Sequence, residues 1–289
     1  MNYKQFLLLL FISGLWGGSF VFMKILTPVF GPILTSSLRL MFASIFLFVF
    51  YYFSKFKMKW KGNIKFYLII GVLNSAIPFI LYSFASLHID ASLSVVLNST
   101  SPMFGALFGY LLLSNKLSKI QVVGLLVGSI GVIIVTSITL GDASIYVVLS
   151  ILSCILAALL YGFSGSYIKK YTTDIDSKSL TLGSLFFGSL VLLPFAFFFN
   201  FENTIEISHI LLLIIFGIMG TSVPYLIYYK LIKDIGSMKA LTVTYLMPVF
   251  GVMWAFIILN EVPKYNVYLG SIVILIGVYL VTYKPKKLV

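Results

Sequence analysis

The chain is built from apolar runs of nearly uniform length, and that feature decides most of what it can fold into. Residues 5–26, 33–53, 66–87, 91–113, 120–140, 144–168, 179–199, 207–229, 239–259 and 266–283 are all apolar. Each is close to the ~20 residues that carry an α-helix across the hydrocarbon core of a bilayer. The runs are continuous rather than alternating, so helices are expected and the strands of a membrane barrel are not. Composition agrees: 60% of the residues are hydrophobic and 10% are charged, against roughly 25% charged in soluble domains. A soluble fold of this length has too little interior to hide so much apolar surface. The expected fold class is therefore an all-α integral membrane protein with ten transmembrane helices joined by short loops. Lys4 and the run behind it imitate a signal peptide, but no small-x-small cleavage site follows. The run continues past Trp16, so the segment reads as the first helix.

A formal charge of +12 would suit a nucleic-acid binder, but its distribution does not. With the N-terminus placed inside, 17 of the 20 basic residues fall on the cytoplasmic side: Lys4 and the clusters at 55–65, 116–119, 169–178, 230–239 and 284–287. The acids Asp90, Asp142, Glu202, Glu206 and Glu261 fall mainly outside. This is the positive-inside bias of multi-pass membrane proteins. It places the chain in the cytoplasmic membrane of the cell with both termini cytoplasmic. The expected partners are membrane lipid and a small-molecule solute, with no nucleic acid; a monomer is compatible with the pattern and a dimer is left open. The single cysteine, Cys154, lies mid-helix and supports neither a disulfide nor a cysteine metal site. No metal and no cofactor is expected.

The chain also repeats itself. Residues 71–137 align with 217–283 without a gap, and 15 of the 67 positions are identical. Pro78, Tyr82, Pro102 and Gly105 meet Pro224, Tyr228, Pro248 and Gly251, while LWGGS at 15–19 matches LYGFS at 160–164 one residue out of step. Residues 1–140 and 141–289 thus read as two five-helix repeats. An odd number of helices turns the second repeat upside down, which is a transporter architecture. Exchanging the conformations of two such halves converts an outward-open state into an inward-open one.

A proline inside a membrane helix frees the carbonyl four residues earlier and bends the chain. Pro78, Pro102, Pro224 and Pro248 read as hinges around a central cavity, with static packing bends as the other reading. Asn74, Pro78 and Tyr82 share one helix face at i, i+4, i+8, and Tyr225 and Tyr228 follow the equivalent Pro224. Asn98 shares a face with Pro102, and Tyr245 stands beside Pro248 and Thr244. Trp16 and Tyr161 occupy matching places in the first and sixth helices. With Arg39, these residues (Trp16, Asn74, Tyr82, Asn98, Tyr161, Tyr225, Tyr228 and Tyr245) are the candidate solute contacts. Arg39 is the only arginine. It has two open readings: a fork for a carboxylate or phosphate, or a structural donor to backbone carbonyls.

Several motifs resemble the EamA-type permeases of the drug/metabolite transporter superfamily. They are LWGGSF at 15–20, Arg39, and the two copies PMFGALFGYLLL at 102–113 and PVFGVMWAFIIL at 248–259. Each copy is followed by a glycine-rich helix, GLLVGSIGVIIV at 124–135 and GSIVILIGVYLV at 270–281. The resemblance covers essentially the whole chain. It implies a secondary transporter that moves a small organic metabolite, such as an amino acid or related amine or carboxylate, by export or facilitated exchange. A proton-coupled carrier of drugs or nucleoside derivatives is the alternative, and an ion channel stands further off. The family often carries an acid at the end of the fourth helix of each half; Glu261 keeps it in the second half, while Asn115 stands in the first. No Walker motif and no deep His or Asp pair is present, so an enzyme is not expected.

Overall fold

The computed structural model describes residues 3–114, 116–140, 144–196, 204–235 and 243–282, and all secondary structure among them is helical. In chain order the helices are α1 (Tyr3–Phe53), α2 (Ile64–His88), α3 (Ala91–Leu113), α4 (Lys119–Leu140), α5 (Ile145–Tyr171), α6 (Ser177–Ala196), α7 (207–235), α8 (Val243–Leu259) and α9 (Tyr265–Thr282). Eight are long and apolar enough to cross a membrane, and α8 holds a shorter apolar stretch, Leu246–Leu259. Among the described residues the ten runs become nine elements, because α1 joins 5–26 and 33–53. The expected loop between them is helical apart from Gly31, whose φ of 70° and ψ of 166° break the helix. That region of backbone space is open essentially to glycine alone. Pro32 follows directly and offers no N–H to carry the ladder across. Each arm, 3–30 and 32–53, is long enough for a ~30 Å apolar core.

The prolines are accommodated in three ways. In α2 and α7 the turns just before Pro78 and Pro224 widen into π-helix over Val72–Ala76 and Ile218–Ser222. Ile77 N–H donates to the Val72 carbonyl and Val223 N–H to that of Ile218, five residues back. The looser turn gives the proline ring room. In α3 the helix stops at Asn98 and restarts at Ser101, so Pro102 falls in a first turn, where its missing N–H is no loss. Pro248, by contrast, stands inside unbroken helix. Four equivalent kinks were expected, and the backbone is irregular beside three of the prolines.

Helix packing repeats with the halves exchanged. A Cβ on Gly17 would lie 2.7 Å from the Gly251 nitrogen, and one on Gly162 would lie 2.5 Å from that of Gly105. These are the same contact, first arm of α1 on α8 and α5 on α3. Likewise Gly71 packs on Ser184 and Gly188, and Gly217 packs on Arg39 and Ala43. Where α4 crosses α9, Gly124 meets Val281 and Gly277 while Gly270 meets Val135 and Gly131. Small residues allow backbones to approach this closely, which is how helices associate in lipid. A contact from one half to the other that recurs with the halves swapped defines a pseudo-two-fold relation between two repeats. The outer surface obeys it too: Leu126, Ile130 and Ile133 on α4 and Ile272, Ile276 and Tyr279 on α9 are exposed ridges at matching positions. Ridges like these suit contact with lipid chains.

Candidate functional site

The first arm of α1 places Trp16 against α7, with its ring 5.7 Å from Tyr225 and 5.3 Å from Tyr228, both edge-on. The i, i+3 spacing just past Pro224 puts both phenols on one side of α7. Tyr82 of α2 lies along Tyr161 of α5 at 6.2 Å and 22°, and meets Phe20 edge-on at 5.3 Å. The Tyr82 hydroxyl donates to Asn98 Oδ1 at 2.8 Å, with the Cys154 carbonyl 3.4 Å away. Asn74 Nδ2 donates to the Tyr225 hydroxyl at 3.5 Å, joining α2 to α7. The candidate contacts thus form two neighbouring groups, Trp16 with Asn74, Tyr225 and Tyr228, and Tyr82 with Asn98 and Tyr161, with Tyr161 in electrostatic reach of Tyr225. Tyr245 belongs to α8, and its side chain lies outside the described residues. Tyr82 is buried, whereas Trp16, Asn74, Asn98, Tyr161, Tyr225 and Tyr228 are half-buried. Aromatic rings with a few polar groups are the kind of lining that binds small organic ligands.

Arg39 approaches this cluster from the second arm of α1. Its Nε donates to Thr221 Oγ1 at 2.8 Å and its Nη2 to the Gly220 carbonyl at 3.1 Å. Gly220 is four residues before Pro224, so its carbonyl is the one the proline cannot serve. The guanidinium carbon stands 3.8 Å from the Phe79 ring centre and 4.1 Å from that of Phe216. A cation held between two aromatic faces gains from both. Tyr161 and Tyr225 lie within electrostatic reach of it. Phe20, Phe79, Phe216 and Thr221 were not singled out in the sequence. Phe79 and Thr221 at least neighbour Pro78 and Pro224, and Phe20 closes the LWGGSF stretch, but nothing in the pattern marks Phe216.

The carboxylates are elsewhere. Glu261 accepts from the backbone N–H groups of Ala91 and Ser92 at 3.1 and 3.2 Å and from the Ser92 hydroxyl at 3.2 Å. It thereby caps the start of α3 from the other repeat. Asp176 accepts from Ser179 N–H and Oγ at the start of α6, and Glu206 caps α7. Lys24 donates to the Ile89 carbonyl at 2.9 Å, in the turn between α2 and α3. Asn115, the counterpart of Glu261, lies outside the described residues.

Repeat packing, exposed apolar ridges and an aromatic cluster between the repeats are the marks of a multi-pass membrane protein built from two repeats. The family model described as the EamA-like transporter family matches residues 4–137 and again residues 148–283, and the chain belongs to that family, within the drug/metabolite transporter superfamily. An uncharacterized transporter of Archaeoglobus fulgidus is 26% identical over 291 residues, covering 99% of this chain and 100% of its own. The uncharacterized transporter YoaV of Bacillus subtilis is 23% identical over 283 residues, with 97% of each chain covered. One solved crystal structure superposes with a TM-score of 0.69 at 12% identity, over 97% of this chain and 98% of its own. That likeness concerns the fold alone.

Proposed function

We propose that this transporter moves a small organic metabolite, of the amino-acid, amine or carboxylate classes, across the cytoplasmic membrane by alternating access. It works as a uniporter or exchanger, exporting its solute or trading it for another. The repeats 1–140 and 141–289 are its moving halves, with ten crossings and both termini cytoplasmic. The observation that carries this reading is the position of the cluster on the seam between repeats. Trp16 meets Tyr225 and Tyr228, and Asn74 meets Tyr225, so each contact joins one half to the other. Relative motion of the halves must remodel such a site, as alternating access requires. The irregular turns beside Pro78, Pro102 and Pro224 supply hinges, and Pro248 supplies the fourth without a break in its helix.

Proton coupling needs a titratable group that the central site can show to either face. Among the described residues the acids lie at helix ends, where Asp176, Glu206 and Glu261 already serve as caps. The test is flux into liposomes with matched pH and an imposed gradient, screened over amino acids, amines, organic acids and nucleosides. Saturable downhill flux should proceed without a proton gradient. Tyr228→Ala, which removes an aromatic contact, should raise half-saturation about threefold to tenfold with normal insertion. Accumulation driven by a pH step alone and lost in Glu261→Gln would establish the proton-coupled alternative instead. Flux that never saturates would make the protein a channel.

A further inference from the structure

Arg39 is only 5% exposed, and the cluster around it contains no acid among the described residues. A guanidinium has five N–H donors in two forked edges. Thr221 and Gly220 take the Nε–Nη2 edge, and Phe79 and Phe216 cover the two faces. Nη1 donates to none of the described residues, yet it is not among the polar atoms sealed inside the protein. The Nη1 edge of this cation is therefore left without a protein acceptor among the described residues, within electrostatic reach of the phenols of Tyr161 and Tyr225.

The fold itself does not demand this cation. The pseudo-two-fold relation superimposes Arg39 on Ser184, because Gly217 packs on the Arg39 carbonyl and Ala43 nitrogen just as Gly71 packs on the Ser184 carbonyl and Gly188 nitrogen. The first-repeat π turn, Val72–Ala76, is thus built beside a serine, with Ser75 in the place of Thr221. The same backbone forms there without a buried charge. A lone cation deep in apolar protein is expensive, and capping one carbonyl does not need a full charge.

We propose that the open edge of Arg39 receives the carboxylate of the transported solute, making this a carrier of small monoanionic organic acids. The inference rests on the carrier reading above and adds its charge selectivity. One fixed cation matches one negative charge: Lys24, near the end of the first arm, is engaged with the Ile89 carbonyl. A dianion would find no second partner among the described residues. The body of the solute then lies against the rings of Tyr161 and Tyr225, which favours an apolar or aromatic remainder.

Benzoate, benzamide and benzylamine have nearly the same shape and carry negative, zero and positive charge. Their binding to the full-length wild-type protein in detergent can be followed by tryptophan fluorescence, since Trp16 stands against Tyr225. Benzoate should bind roughly tenfold tighter than benzamide, the margin of a charge-assisted hydrogen bond, with benzylamine weakest. Arg39→Lys should weaken benzoate but keep this order, and Arg39→Gln should make benzoate and benzamide equal. The wild-type order does not depend on whether either variant folds. Equal affinities for benzoate and benzamide, tighter binding of benzylamine, or no binding of any probe at millimolar concentration overturns the proposal. Saturable liposome flux of another solute class alongside such a result would leave the carrier reading standing. The expected order without saturable flux of any solute would retain the anion site and remove the carrier.

Discussion

Glu261 shows how much one side chain at a helix end can carry. The first N–H groups of α3 have no intrahelical acceptor, and Asp90, in the N-cap position, makes no side-chain bond to them. Glu261 arrives from the second repeat and takes two of those N–H groups and a hydroxyl. A carboxylate there is also favoured by the helix dipole. Glu261→Ala should lower stability by about 1–3 kcal/mol, read as earlier thermal unfolding in detergent, and Glu261→Gln should fall between. An unchanged melting temperature in Glu261→Ala would refute the capping role. The sequence marks Glu261 as a boundary acid but cannot reveal its partner, which lies 169 and 170 residues away. The aromatic cluster was more legible, because Tyr82 and Tyr228 share a mirrored place after mirrored prolines. Phe79 and Phe216 were not, since one more phenylalanine among 27 carries no pattern.

At the scale of elements, the apolar runs located the helices well, and the departures come from local backbone chemistry. The stretch TPVFGP at 27–32 looks like a loop by the habits of soluble chains, but only Gly31 leaves helical geometry. The interruption of α3 has the opposite character: hydropathy runs straight through it. Ser99, Thr100 and Ser101 turn their hydroxyls back onto the carbonyls of Val96, Leu97 and Asn98 at 2.6–2.7 Å. Such local bonds compete with the helical ladder, and Pro102 cannot resume it from within. Gly31 makes the sharper prediction. Any Cβ at φ 70°, ψ 166° is strained, so Gly31→Ala should destabilise the protein by about 1–3 kcal/mol. A Gly31→Ala protein that melts with wild type in detergent would mean the two arms meet in some other way.

For the whole molecule the open question is whether α1 crosses the membrane once or twice, because the parity of every later helix depends on it. The symmetry of the packing supports the proposal of two crossings. Gly17 in the first arm makes the contact that Gly162 makes in α5, and Ala43 in the second arm stands where Gly188 stands in α6. The two arms are thus the equivalents of α5 and α6, which are separate helices joined by a turn over 172–176. Counted as two crossings, the arms bring each repeat to five helices and the chain to ten. All the lysine clusters and Lys4 then share one side, as the positive-inside bias requires. Counted as one, Lys4 would oppose every other cluster and the repeats could not be inverted. Single cysteines in a Cys154→Ala background decide the matter, and Cys154 itself is fully buried. Cysteines replacing the exposed Lys4, Lys61 and Ser177 should react with a membrane-impermeant maleimide only from the cytoplasmic face. Those replacing the exposed Ser144 and Lys264 should react only from the outer face. Labelling of the cysteines at 4 and 61 from opposite faces would make α1 a single crossing and end the inverted-repeat reading.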